Sequence, residues 1–152
     1  MKRESIQLIL AFFALVFGGA AEELAPKFLG AGVPVLMSAT AYCAVRRTPL
    51  TGVLFAMAAG AMEDALSGLP FALSLSYFTA FAGLLRGFRL SVYWLVPAYC
   101  GYQVWLWIWL GEALNGSVFS RTFGAVPLGL VTVAAVRFVF SWLDGKAAVH
   151  EK

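Results

Sequence analysis

The sequence predicts an all-α integral membrane protein, a single compact bundle of six transmembrane helices spanning residues 1–152. Three observations carry this reading. Hydrophobic residues make up 61% of the chain and charged residues 12%, with a mean hydropathy of +0.83, which leaves too little polar surface for a soluble globule of 152 residues. Six apolar runs, most of them close to the roughly 20 residues that cross a bilayer, consume nearly the whole length. The basic residues, finally, sort onto alternate loops.

The runs fall at about 6–21, 28–45, 50–66, 69–85, 90–110 and 123–143. The first is closed by Glu22-Glu23, and Pro26, Lys27 and Gly30-Ala31-Gly32 interrupt the chain before the second settles. Ser67-Gly68 is a C-terminal cap of the third, after which Pro70 begins the fourth, making a tight outer hairpin. Arg86 and Arg89 separate the fourth from the fifth, and Arg121 precedes the sixth. No connection is long enough for a domain outside the membrane.

Of the eleven Lys and Arg, nine belong to one side: Lys2, Arg3, Arg46, Arg47, Arg86, Arg89, Arg137, Lys146 and Lys152. Lys27 and Arg121 alone fall on the other. The positive-inside rule then puts both termini in the cytoplasm, in agreement with an even number of spans. A competing reading takes Lys2-Arg3 and residues 6–21 as a secretory signal cleaved after Gly19-Ala20-Ala21, but five remaining spans would separate the termini. The net charge of +3 therefore reports topology, and gives no support to a nucleic-acid partner.

Glu63 and Asp64 are the most informative polar residues, because acids in hydrocarbon are costly and usually functional. Asp64 lies 17 residues beyond Arg47, about 25 Å along a helix, so both acids approach the outer face of a core about 30 Å thick. They either end the third helix at the headgroup level, or are held inside the bundle or face a polar outer crevice. Gly52, Ala56, Gly60, Asp64 and Gly68 recur every four residues, a small-residue stripe that lets backbones approach. Each step of four drifts about 40°, so the stripe winds round the helix and suits a crossing neighbour better than a long parallel seam. The stripe predicts a third helix packed centrally in the bundle, with a dimer interface as the alternative.

The fifth span concentrates Tyr93, Trp94, Tyr99, Tyr102, Trp105, Trp107 and Trp109. An interfacial aromatic belt explains Trp105, Trp107 and Trp109; a lipid or partner face made by Tyr102, Trp105 and Trp109 is the sharper alternative. Catalysis has little to work with. His150 is the only histidine, Cys43 and Cys100 are isolated, and Glu22, Glu23 and Glu112 sit at span ends, so no catalytic, cofactor-binding or metal-binding residue is assigned.

The stretch Pro34-Val35-Leu36, then Arg46-Arg47-Thr48-Pro49-Leu50-Thr51-Gly52, then Gly60-Ala61-Met62-Glu63-Asp64-Ala65-Leu66-Ser67-Gly68-Leu69-Pro70-Phe71-Ala72-Leu73, resembles the bacterial rod shape-determining MreD family. That family typically shows a G-L-x-x-D-x-x-S-G-x-x-x-G-like segment. Ala61 departs from its leucine-like position, and Ala72 stands where glycine is common. The resemblance covers roughly residues 28–86 and singles out Gly60, Glu63, Asp64, Gly68 and Pro70 as a partner-binding or structural motif. It implies a non-enzymatic scaffold in the bacterial inner membrane, without a cofactor. Its partners would be the surrounding lipid, a single-span MreC-like protein and, through it, an MreB-like filament and peptidoglycan synthases. The family is also similar in fold to the substrate-binding subunits of energy-coupling vitamin transporters, which implies the alternative of a small-molecule transport subunit.

Overall fold

The computed structural model describes residues 3–29, 34–70, 72–110, 127 and 130–142. Among these are six α-helices and no strand: α1 Arg3–Leu29, α2 Val35–Arg46, α3 Pro49–Ser67, α4 Leu73–Gly87, α5 Leu95–Leu110 and α6 Leu130–Trp142. A 3-10 turn, Val92–Trp94, leads into α5. The all-α class read from the sequence is present. Among the described residues α3 is the one helix long and apolar enough to cross a membrane, while α2 and α6 are apolar but shorter. Lys2, Glu112, Arg121, Lys146, His150 and Lys152 lie outside the described residues, as do most of residues 123–129 from the sixth run.

Helix boundaries differ from the apolar runs where a polar residue has a tertiary partner. The first run stops at residue 21, yet α1 continues to Leu29, because Glu22 does not meet solvent: its carboxylate accepts from the backbone N–H of Leu36 at 3.3 Å. α2 starts at Val35 rather than 28, directly after Pro34, whose carbonyl also accepts from Ser38 Oγ at 2.6 Å. α4 starts at Leu73 rather than 69, since Leu69 and Pro70 are not helical and Ala72 is its N-cap. α5 starts five residues later than its run because the 3-10 turn precedes it.

The middle of the bundle is α2, not α3 as the stripe suggested. Every residue from Leu36 to Ala44 is buried. That stretch is free of charge, and its Ser38, Ala39, Thr40, Ala41 and Ala44 let helices close on it from several sides. Tyr42 stacks on Phe140 with ring centroids 4.9 Å apart, which brings α6 against the same core.

The α3 stripe has two partners. A side chain on Gly52 would meet Ala44 Cα at 3.2 Å, whereas one on Gly60 would meet the Leu75 N and Ser74 O atoms at 2.7 Å. Residues 52 and 60 are two steps of four apart, about 80° round the helix. The winding therefore turns one small-residue stripe from α2 to α4, and Ala56 and Ala59 between them are fully buried.

At the far end α3 stops at Gly68, whose φ of 63° is the left-handed cap glycine favours. Asp64 O accepts from Gly68 N and, at 3.0 Å, from Leu69 N, the six-to-one bond of a Schellman ending. Pro70 remains in the turn. Ala72, at φ 74°, is also left-handed, a conformation that costs an L-residue with a Cβ about 1–2 kcal/mol. We expect Ala72→Gly to raise the melting temperature of the purified protein by a few degrees, the strain relieved exceeding the added freedom of the unfolded chain. A lower melting temperature would mean that the alanine methyl contributes packing larger than that strain.

Candidate functional site

Glu22, Glu63 and Asp64 gather at one end of the bundle, and Arg86 and Arg137 make their hydrogen bonds at the other. Arg86 Nη1 donates to Ala44 O at 3.1 Å and Arg47 O at 2.8 Å, tying the C-terminal ends of α2 and α4 together, and Arg137 donates to the Tyr93 hydroxyl nearby. This basic end contrasts with the acidic end, where Glu22, Glu63 and Asp64 meet the starts of α2 and α4.

Asp64 is 3% exposed, so it is inside the bundle and not at its rim. Its Oδ1 accepts from Ser74 N at 2.7 Å and its Oδ2 from Leu75 N at 3.4 Å. These are the second and third amides of α4, which Ala72 at the cap position has no side-chain oxygen to satisfy. One residue thus ends α3 through its carbonyl and starts α4 through its carboxylate. Negative charge facing a helix N-terminus adds a favourable dipole interaction. Glu22 does the same for α2, accepting from Leu36 N after a proline that offers no cap of its own.

From Asp64 a chain of bonds crosses to α5. Ser74 Oγ and the Tyr102 hydroxyl lie 2.6 Å apart, Tyr77 donates to Ala98 O at 2.5 Å, and Trp105 Nε1 donates to Leu73 O at 3.2 Å. Three helices are therefore pinned at one level.

Beside this network opens a cavity of about 240 Å³ with Glu22, Glu63, Tyr99, Tyr102 and Gln103 on its walls. Glu22 and Glu63 come within interacting reach of one another there, and Ser67 Oγ donates to Glu63 Oε1 at 3.2 Å. Among the described residues no Lys or Arg lines it. Met37, Leu66, Phe78 and Leu106 supply apolar wall, so the cavity combines a few convergent acceptors with a hydrophobic lining, as small-molecule sites do. No group of three metal-ligating side chains occurs among the described residues.

The motif residues are divided by this geometry. Gly60 and Asp64 are buried at the α3–α4 crossing, Glu63 faces the cavity, and Gly68 and Pro70 are exposed in the turn. The outward face assigned to the fifth span needs correction: Tyr102 is 4% exposed and bonded to Ser74, and Trp105 is half-buried against Leu73. Both side chains have polar atoms that found partners inside the bundle. Trp109 does stand on the surface, 62% exposed, with its ring 5.5 Å from that of Trp105.

Glu22 was assigned to a span end, and no second acid was expected to reach Glu63 and Asp64 from another helix; the structure brings it there. The signal was available, since Glu22 lies 19 residues beyond Arg3, about 28 Å along a helix and nearly the depth estimated for Asp64. Ser74 and Gln103 gave no comparable signal. Scanned against family models, curated proteins and solved structures, the chain matches none of them.

Proposed function

We propose that this chain is a multi-pass membrane scaffold of the MreD type, non-enzymatic, with both termini in the cytoplasm, whose α3–α4 hairpin is the rigid element offered to a single-span MreC-like partner. The membrane reading is supported by the outward faces: Phe12, Phe17, Leu50, Leu54, Phe88, Ile108 and Phe138 are each more than half exposed. A soluble monomer rarely exposes apolar surface on so many elements. The basic end would face the cytoplasm, in keeping with the positive-inside rule.

The observation that carries the scaffold reading is the double use of Asp64. The motif behind the MreD resemblance is the segment that locks α3 to α4, leaving Leu66, Gly68 and Pro70 exposed at the tip. A locked hairpin loses little freedom when a partner binds. Through that partner the protein would act on a cell-elongation machinery of filament and peptidoglycan synthases.

The cavity favours a second reading, a transport-type subunit binding a small molecule. Two facing carboxylates, with no base among the described lining residues, select an amine or other organic cation. One experiment separates the two. Tagged protein extracted from membranes should co-purify with an MreC-like protein, and changing the tip by Leu66→Ala with Pro70→Ala should reduce that recovery several-fold. The cavity variant Glu22→Gln with Glu63→Gln should leave it unchanged. Loss of recovery in the cavity variant alone would favour the small-molecule reading.

A further inference from the structure

Away from the acidic end, two cavities meet at the basic end of α4. One, of about 420 Å³, is an apolar groove between α4 and α5 walled by Tyr77, Phe81, Leu84, Phe88, Trp94 and Pro97. The other, of about 340 Å³, is polar and is lined by Arg86 and Arg89 together with the α2 backbone end at Ala44 and Val45. Leu85 and Leu90 belong to both, so the groove runs into the arginine pocket.

Three features of this pair define an occupant. Tyr77 and Phe88 are eleven residues apart, about 16 Å along α4, which is half of a hydrocarbon core about 30 Å thick: the groove has the length of one leaflet. Its apolar wall ends where two guanidinium groups begin, the order of chain and headgroup in a lipid. Among the described residues no acid lines either cavity to offset the arginines. Arg86 is held by Ala44 O and Arg47 O and presents a fixed positive group, while Arg89 is exposed, on left-handed backbone at φ 52° that turns the chain back toward α5.

We infer that the α4–α5 groove and the Arg86–Arg89 pocket together bind one anionic phospholipid of the cytoplasmic leaflet, an acyl chain against Phe81 and Leu84 and the phosphate at Arg89. The inference rests on the membrane reading above. A basic pocket between helices on the cytoplasmic side is the setting in which anionic headgroups are recognised. A free phosphate would use the arginines but not the groove, and a zwitterionic lipid would use the groove but gain little from the arginines.

The test is native mass spectrometry of the full chain released from dodecyl maltoside, titrated with phosphatidylglycerol, with phosphatidylcholine of the same acyl chains, and with glycerol phosphate. Phosphatidylglycerol should be retained about tenfold more tightly than phosphatidylcholine. Arg89→Gln should bring the two together, whereas Arg46→Gln, which removes an equal charge outside the pocket, should preserve the preference. Ala80→Trp, which fills the groove wall, should weaken both lipids. Equal retention of the two lipids by the unmodified protein, an unchanged preference in Arg89→Gln, or glycerol phosphate binding as tightly as the lipid would each overturn the inference. Carbonate-washed membrane fractions separate this failure from that of its premise: protein that stays in the pellet without lipid preference leaves the membrane reading standing, and protein released to the supernatant defeats both.

Discussion

Gly60→Leu should be the most damaging single substitution in α3. A side chain there would lie 2.7 Å from both Leu75 N and Ser74 O, backbone atoms of α4 that no rotamer change can move aside. Overpacking usually costs about 1–3 kcal/mol, and a clash with a neighbouring helix backbone falls at or beyond the top of that range. For a chain of this size that corresponds to a fall in melting temperature on the order of 10 °C. Gly60→Ala should already show much of the loss, because the obstructed atom is Cβ itself. Leu54→Ala is the comparison: Leu54 is 54% exposed, and its removal should cost less than about 1 kcal/mol. Equal melting temperatures for Gly60→Leu and Leu54→Ala in detergent would show that α3 and α4 do not cross at residue 60.

That crossing was legible because its cause is local. A run of small residues at fixed spacing says that a backbone comes close, whatever the neighbour turns out to be, and the drift of the stripe implied a crossing rather than a parallel seam; that it serves two neighbours, α2 and α4, was not legible. The glycine cap at Gly68 was legible for the same reason, since the left-handed position and the residue suited to it coincide. What could not be read were arrangements in which one helix completes another from a distance. Glu22 and Pro26 carry the marks of a helix end, and α1 passes through both because the start of α2 supplies a donor to Glu22 fourteen residues later. Alanine by itself carries no mark of a left-handed residue, and at Ala72 only the glycine common at that place in the resembled family pointed to one. Tyr102 and Trp105 looked like surface aromatics because a sequence does not show that Ser74 and the Leu73 carbonyl are waiting for their polar atoms.

A related gap concerns burial. Length arithmetic placed Glu63 and Asp64 at one depth, yet neighbours in sequence on a helix point about 100° apart. Asp64 turns into the α3–α4 contact and Glu63 turns toward Glu22 and the cavity. Two adjacent acids therefore have different work: one builds the hairpin, the other offers charge to whatever enters the cavity.

Substitutions at Asp64 should separate geometry from charge. Asp64→Asn keeps one carbonyl oxygen able to accept from Ser74 N, the short bond, and gives up the weaker one from Leu75 N along with a favourable charge at the α4 N-terminus. A cost of about 1 kcal/mol is expected. Asp64→Leu removes both acceptors and leaves two amides at the start of α4 unpaired within the bundle, each worth about 1–3 kcal/mol, so the total should reach about 3 kcal/mol or more. Hydrogen exchange gives a readout that melting does not: the Ser74 and Leu75 amides should exchange much faster in the Leu variant, while in the Asn variant Ser74 stays protected and Leu75 loosens. Ser74→Ala supplies the control, since it removes the hydroxyl shared with Tyr102 but leaves the Ser74 N–H on Asp64. If Asn and Leu proved equally damaging, charge and not capping geometry would be what the bundle needs at this position. The hairpin would then owe its rigidity to the charge facing the α4 N-terminus, and the cavity, rather than the tip, would become the stronger candidate for the working surface of the protein.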